Sequence, residues 1–145
     1  MVRLKVKLKA LKGINPAAVI ETVGIANTGY GAEGLEIAIP EALARRIGFL
    51  PQLPQGTKVE SYISASGVSQ VHVIPDALEI EVKASGRSEG PAAVDVVITN
   101  TDEVLLSDGI VERLNIVLEK PRSGLWRFSD ESHSLLRESE PPEKW

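Results

Sequence analysis

The start of the chain alternates without a break: Val2, Leu4, Val6, Leu8 and Ala10 fall on one parity, Arg3, Lys5, Lys7 and Lys9 on the other. Successive side chains of a β-strand point to opposite faces, so a period of two predicts a half-buried strand with an apolar inner face and a basic outer one.

The rest of the chain supplies partners for it. Ala17 to Ala26 is rich in small and β-branched residues and reads as a second strand, ended by the turn-forming run Asn27-Thr28-Gly29-Tyr30-Gly31. Leu35 to Ile39 is a short apolar strand. Pro40 followed by Glu41 to Ile47 predicts a helix, with proline and glutamate suited to its first turn and Gly48 to its end. Beyond a turn-rich stretch, Lys58 to Ile63 and Val68 to Ile74 form a hairpin around Ser64, Ala65, Ser66 and Gly67. Ala77 to Ala84 alternates again, Ser85 to Pro91 reads as an exposed turn, and Ala92 to Thr99 as the returning strand. Val104 to Gly109 leads into a short helix, Ile110 to Leu114, with Ser107 or Asp108 as its cap. Asn115 to Leu118 and Leu125 to Phe128 are the last strands, separated by a turn at Pro121 to Gly124. About eight short strands with two short helices predict an all-β, β-dominated domain closed into a small barrel or folded sandwich.

At 145 residues, with 43% hydrophobic and 25% charged, the chain suits one globular core and excludes disordered or collagen-like classes. Residues 1–128 are read as a single β domain and residues 129–145 as an acidic, flexible tail. No apolar run is long enough for a bilayer and the lysine-interrupted start is unlike a signal peptide, so a cytoplasmic location is expected. The chain has no cysteine and only two histidines, His72 and His133, far apart. Thiol nucleophiles, disulfides, zinc–thiolate sites and iron–sulfur clusters are excluded, histidine-rich metal sites are disfavoured, and no metal or cofactor is expected. The net charge of −4 hides an asymmetry: residues 1–12 hold five basic groups and no acid, whereas residues 129–145 hold five acids against Arg137 and Lys144. The termini are therefore expected to attract one another, within a chain or between chains. The absence of cysteine, three glutamines and abundant Ile, Val and Glu suit a heat-stable protein.

From Val19 to Phe128, about three quarters of the chain, the order of pieces resembles the retropepsin-like aspartic proteases. The stretch VGIANTGYGAEGLEIAIPEALARRIGF follows that family's apolar strand ending in Asp-Thr-Gly, a small residue, an apolar strand, a proline and a short helix. SYISASGVSQVHVI resembles its glycine-tipped flap, with Ser64, Ala65, Ser66 and Gly67 as the tip. DVVITNTDEVLLSDGIVERLNIVLEKPRSGLWRF resembles its closing strand, Leu-Leu-Gly-like turn, helix and final strand, with Ser107 where the family usually has glycine. The resemblance implies a closed retropepsin-like barrel and a homodimer to which each chain brings one motif, Asn27, Thr28 and Gly29 here. Thr28 would hydrogen-bond across the two-fold axis, and Gly29 would give the loop its backbone freedom.

The departure is at Asn27, where the family has its catalytic aspartate. Two close carboxylates share a proton and hold a water that one of them activates as a base. An amide forms hydrogen bonds but accepts no proton in this pH range, so an Asn27 pair loses that chemistry. Deamidation to aspartate is hindered by the β-branched Thr28. The resemblance then implies a pseudoenzyme whose groove, floored by 27–29 and roofed by 64–67, binds extended peptide or unfolded protein.

Two alternatives stand beside this reading. One is an active aspartic-type peptidase, with aspartate at 27 in the native gene or an acid recruited from Asp76, Asp95 or Asp108. The other is a binding or structural module that meets an acidic partner through the basic first strand. Nucleic acid is disfavoured as that partner, because no aromatics interleave the lysines and the chain is net acidic. The simpler role of the lysines is to protect a sheet edge. A Ser66 or Ser69, His72 and Asp76 arrangement lacks the turn pattern of a serine nucleophile.

Overall fold

A computed structural model describes residues 1–26, 29–65 and 67–145, and of residues 62–64 the backbone alone. The alternating N-terminal segment forms β1 (Val2–Ala10), and all five of its apolar side chains are at most 1% exposed. Strand β2 (Val19–Ala26) returns antiparallel to it, Val2 facing Ala26 and Lys9 facing Val19. Next come β3 (Glu36–Pro40) and helix α1 (Glu41–Ile47), which turns Leu43, Ala44 and Ile47 into the core and ends at Gly48 with φ 96°, a left-handed value that glycine adopts without strain.

Strands β4 (Lys58–Ser64) and β5 (Gly67–Ala84) form the hairpin. The two strands expected at 68–74 and 77–84 are one bent strand. Asp76 sits at the bend with φ 46°, its N–H donating to Asp95 Oδ1 at 2.8 Å, and the register shifts between Ile74 and Leu78. The bend lets one strand serve two neighbours: the first half of β5 pairs with β4, the second half with β1. Strand β6 (Arg87–Thr99) pairs along most of its length. The exposed turn expected at 85–91 therefore shrinks to Ser85-Gly86, and Gly90-Pro91 lies within the strand. Glycine is required there, since a Cβ at position 90 would come 2.8 Å from the Ile80 carbonyl oxygen and φ is 115°.

Strand β7 (Val104–Leu106), helix α2 (Asp108–Arg113), β8 (Ile116–Lys120), β9 (Leu125–Phe128) and the short β10 (Arg137–Glu138) complete the chain. Ser107 takes the N-cap position of α2 without a side-chain cap hydrogen bond; its buried hydroxyl instead accepts the Glu36 N–H at 3.4 Å. The order β1-β2-β7-β3-β6-β5, closed by β5 pairing with β1, is a six-stranded barrel, with β4 continuing outward from β5. Pairs β2–β7 and β3–β6 are parallel. The barrel is filled by Leu4, Leu8, Ile37, Ile39, Leu78, Ile80 and Leu106, each fully buried. The protein is thus a β-dominated barrel with two short helices among the described residues, none of whose helices is long and apolar enough to cross a membrane.

Closure changes the meaning of the basic stripe. With β2 on one side and β5 on the other, β1 is interior to the sheet, so its lysines do not guard an edge. Lys7 faces Glu21 on β2 and Glu81 on β5, Lys9 faces Glu79, and Lys5 Nζ lies 4.0 Å from Glu21. Arg3 makes a two-pronged pair with Glu103, at 2.8 and 3.2 Å. Cross-strand pairs of opposite sign stabilise the sheet and neutralise the stripe.

Residues 129–145 follow a defined path. Arg3 N–H donates to Ser139 Oγ and Glu140 N–H to the Arg3 carbonyl (2.9 Å), so the tail covers the stretch of β1 that β5 does not reach. The terminal Trp145 donates from its indole to Thr22 Oγ1 (3.0 Å) and from its backbone to the Asp102 carbonyl (2.8 Å). The two termini meet within the chain, through backbone and hydroxyl groups rather than through opposite charges. Glu131 anchors the start of the tail: Arg137 grips both its oxygens, at 2.9 and 2.6 Å, and Phe128 N–H donates to it at 3.0 Å.

That grip holds the Glu131 carboxyl down to about 2, the Arg137 hydrogen bonds being the largest cause. A carboxylate lowered on folding contributes stability that is complete above its ordinary value near 4.5 and is lost as the pH falls through about 2. Asp130, held low by Arg87, and Glu119, held low by Arg127, act in the same direction. The expected result is release of residues 129–145 as the pH falls from about 4.5 towards 2, seen as faster amide exchange in the tail before the barrel strands lose protection. In Glu131→Gln the tail should exchange faster already at neutral pH and respond less to acid; an unchanged acid response would show that Glu131 is not the anchor.

Candidate functional site

Strand β2 runs the chain towards the residues singled out in the sequence. Asn27 and Thr28 lie outside the described residues, and the path resumes at Gly29, Tyr30 and Gly31. This segment is tied to the start of α2, because the Tyr30 carbonyl accepts the Asp108 N–H at 2.8 Å. Leu106 is paired with Ile37, and Ser107 N–H donates to the Glu36 carbonyl at 3.3 Å. The loop after β2, the start of β3 and the β7–α2 junction are thus held as one platform by main-chain hydrogen bonds.

A cavity of about 540 Å³ opens above this platform. Gly29, Tyr30 and Gly31 form one side and the base of the hairpin, with Glu60, Ser61, Val71 and Val73, forms the other. Ala38, Val97 and Leu105 make an apolar wall, and Thr99, Asn100 and Thr101 close one end. A second concavity of about 410 Å³ shares Val71, Thr99 and Asn100 with the first and extends past His72 to Glu41 and Leu50. Successive residues of β5 and β6 face opposite ways, so Gln70, His72 and Ile98 lie on the other side of the sheet from Val71, Val73 and Val97, and the main cavity, of a size in the usual range for ligand sites, is a groove on its own.

Of the candidates from sequence, Gly29 lines this cavity. Ser66 lies outside the described residues; Ser64 is described by its backbone, which pairs with Gly67; Ala65 and Gly67 are exposed. The described wall is built from the base of the hairpin, not from its tip. Asp95 is engaged at the β5 bend and Asp108 sits in the first turn of α2, so the described contacts of Asp76, Asp95 and Asp108 are structural, and none of the three lines the groove. Ser69 and His72 line the second concavity without Asp76. His133, exposed, lies 3.2 Å from Glu119.

The carboxylates that do line the main cavity, Glu36 and Glu60, were not singled out in the sequence, nor was Tyr30. The Tyr30 hydroxyl donates to Glu36 Oε2 at 2.5 Å. Burial, and then the hydrogen bond to Glu36, raise the phenol well above its ordinary value, so it stays protonated and remains a donor. The one local clue was a lone aromatic between two glycines, Gly29-Tyr30-Gly31, ahead of a glutamate that opens an otherwise apolar strand. No lysine or arginine is among the described residues lining either concavity. Nor do three His, Asp or Glu side chains converge among the described residues in a way that would hold a metal ion.

Comparison with known protein families finds no family model that matches this chain, and a search of curated proteins finds no match either.

Proposed function

We propose that the protein is a retropepsin-like homodimer that has exchanged the catalytic aspartate for Asn27 and holds extended peptide in its groove without cutting it. The observation that carries this reading is the position of the cavity. It lies between the segment that follows β2 and the β4–β5 hairpin, with the β7–α2 junction locked beneath. A closed barrel with strand, helix, hairpin, strand and helix in this order supports the family resemblance, and the apolar wall flanked by exposed main chain suits an extended ligand. An active peptidase with a recruited acid draws no support from Asp76, Asp95 or Asp108. A module working through β1 is weakened by Glu21, Glu79 and Glu81, which already face its lysines.

The dimer is tested by a thiol. The chain has no cysteine, so Thr28→Cys introduces a single one. If the two 27–29 segments meet at a two-fold axis, their Cα atoms fall within the roughly 4.4–6.8 Å that a disulfide spans. Mild oxidation should then convert most of Thr28→Cys to a covalent dimer, while Ser123→Cys, at an exposed turn, stays largely monomeric. Equal or slower cross-linking of Thr28→Cys would contradict this arrangement.

A further inference from the structure

We infer that the groove selects extended peptides carrying lysine or arginine, the basic side chain entering the cavity between Glu36 and Glu60. The inference rests on the reading that the groove holds peptide, and adds the chemistry of what it holds. Its basis is the cavity together with the charge of its walls: two carboxylates, one from β3 and one from β4, reach a space of about 540 Å³ whose described lining includes no cation. In the apolar part of the same wall, Val97 and Leu105 offer a surface for the methylene stem of a long basic side chain, while its charged end meets the carboxylates.

Glu36 is set for this task. The Tyr30 hydroxyl, donating to Oε2, fixes the orientation of the carboxylate, and because the phenol stays protonated it adds no competing negative charge. Glu60 is exposed on β4 and free to follow the ligand's position. Glu41, in the second concavity, is paired with Arg45 at 3.1 Å and contributes less. Two carboxylates without a third ligand suit an organic cation better than a metal ion, which takes more oxygen donors. An acidic side chain at the same place would meet like charge with no compensating cation in the wall.

The experiment uses the full chain and three short extended peptides that differ at one central position, lysine, glutamine or glutamate, each titrated at low and high salt. The lysine peptide should bind about three- to fivefold more tightly than the glutamine peptide at low salt, the glutamate peptide more weakly than both, and the differences should shrink at high salt. Glu60→Gln should remove most of the lysine advantage, and Glu36→Gln should reduce it with the far-UV circular dichroism unchanged. Glu112→Gln, on the exposed side of α2, should leave it intact and so exclude attraction to net charge alone. Equal binding of the three peptides, or a lysine advantage that survives both groove substitutions, would overturn the selectivity while leaving peptide binding in place. Binding of none of the three would overturn the peptide-binding reading itself.

Discussion

Phe128→Ala is expected to bring the protein to the edge of unfolding. Phe128 is fully buried and meets Trp126 edge-on, with ring centroids 5.0 Å apart and planes at 79°. Arg87 lies 4.3 Å over its ring and Arg137 5.2 Å, and these same arginines hold Glu89, Asp130 and Glu131. Deleting the ring removes the burial of a large aromatic and leaves a cavity, a change that costs about 3–5 kcal/mol. Loss of the surface under two guanidinium groups adds to that cost. Against a total stability of about 5–15 kcal/mol, that is a large share. Urea unfolding followed by tryptophan emission should show a midpoint reduced by about half or more, whereas Phe128→Leu should cost about 1–2 kcal/mol. An alanine variant that loses less than about 1.5 kcal/mol would show that the ring is not the keystone between the small sheet and the tail.

The elements that the sequence disclosed were those whose signals are local. The alternation of Val2 to Ala10 is read directly as one buried and one exposed face, and Pro40, Glu41 and Gly48 bracket α1 because each acts through its own backbone or through the helix dipole. The errors came where distant partners decide. Pro75-Asp76 reads as a strand end, yet β5 continues because Asp95, on the neighbouring strand, accepts the Asp76 N–H and holds the bend. Gly90-Pro91 reads as a turn, yet the close approach of the Ile80 carbonyl makes the glycine a strand residue. The acidic tail reads as mobile from its composition, while its contacts come from Arg3, Thr22, Arg87 and Asp102, scattered along the chain.

The groove shows the same division. Gly29, which the family resemblance places in the floor of a groove, is among the residues lining the cavity. The charge of the cavity is not legible in the sequence, because Glu36 and Glu60 lie on strands separated by α1 and a turn, and only barrel closure brings β3, β6 and the hairpin around one space. Asp76, Asp95 and Asp108, the acids considered from the sequence, are aspartates of the β-rich region, whereas the carboxylates lining the cavity are the glutamates Glu36 and Glu60. Asn27 is read from the family resemblance alone, as a changed letter in the motif that resemblance implies, and it lies outside the described residues.

That letter carries the second large effect. A carboxylate pair supplies both the base that activates water and the acid that protonates the leaving group, and positioned proton transfer of this kind contributes about 10²–10⁴ in rate for each group. In the dimer proposed above, asparagine at 27 would remove it from both protomers at once, while keeping the size and much of the hydrogen bonding of the side chain. Asn27→Asp should therefore restore chemistry without rebuilding the site. The most direct measurement is cleavage of an unfolded protein substrate from acidic to neutral pH, by the chain as it stands and by Asn27→Asp at equal concentration. The account predicts that only Asn27→Asp cleaves, with activity falling as both carboxylates ionise; cleavage by neither protein or by both would contradict it.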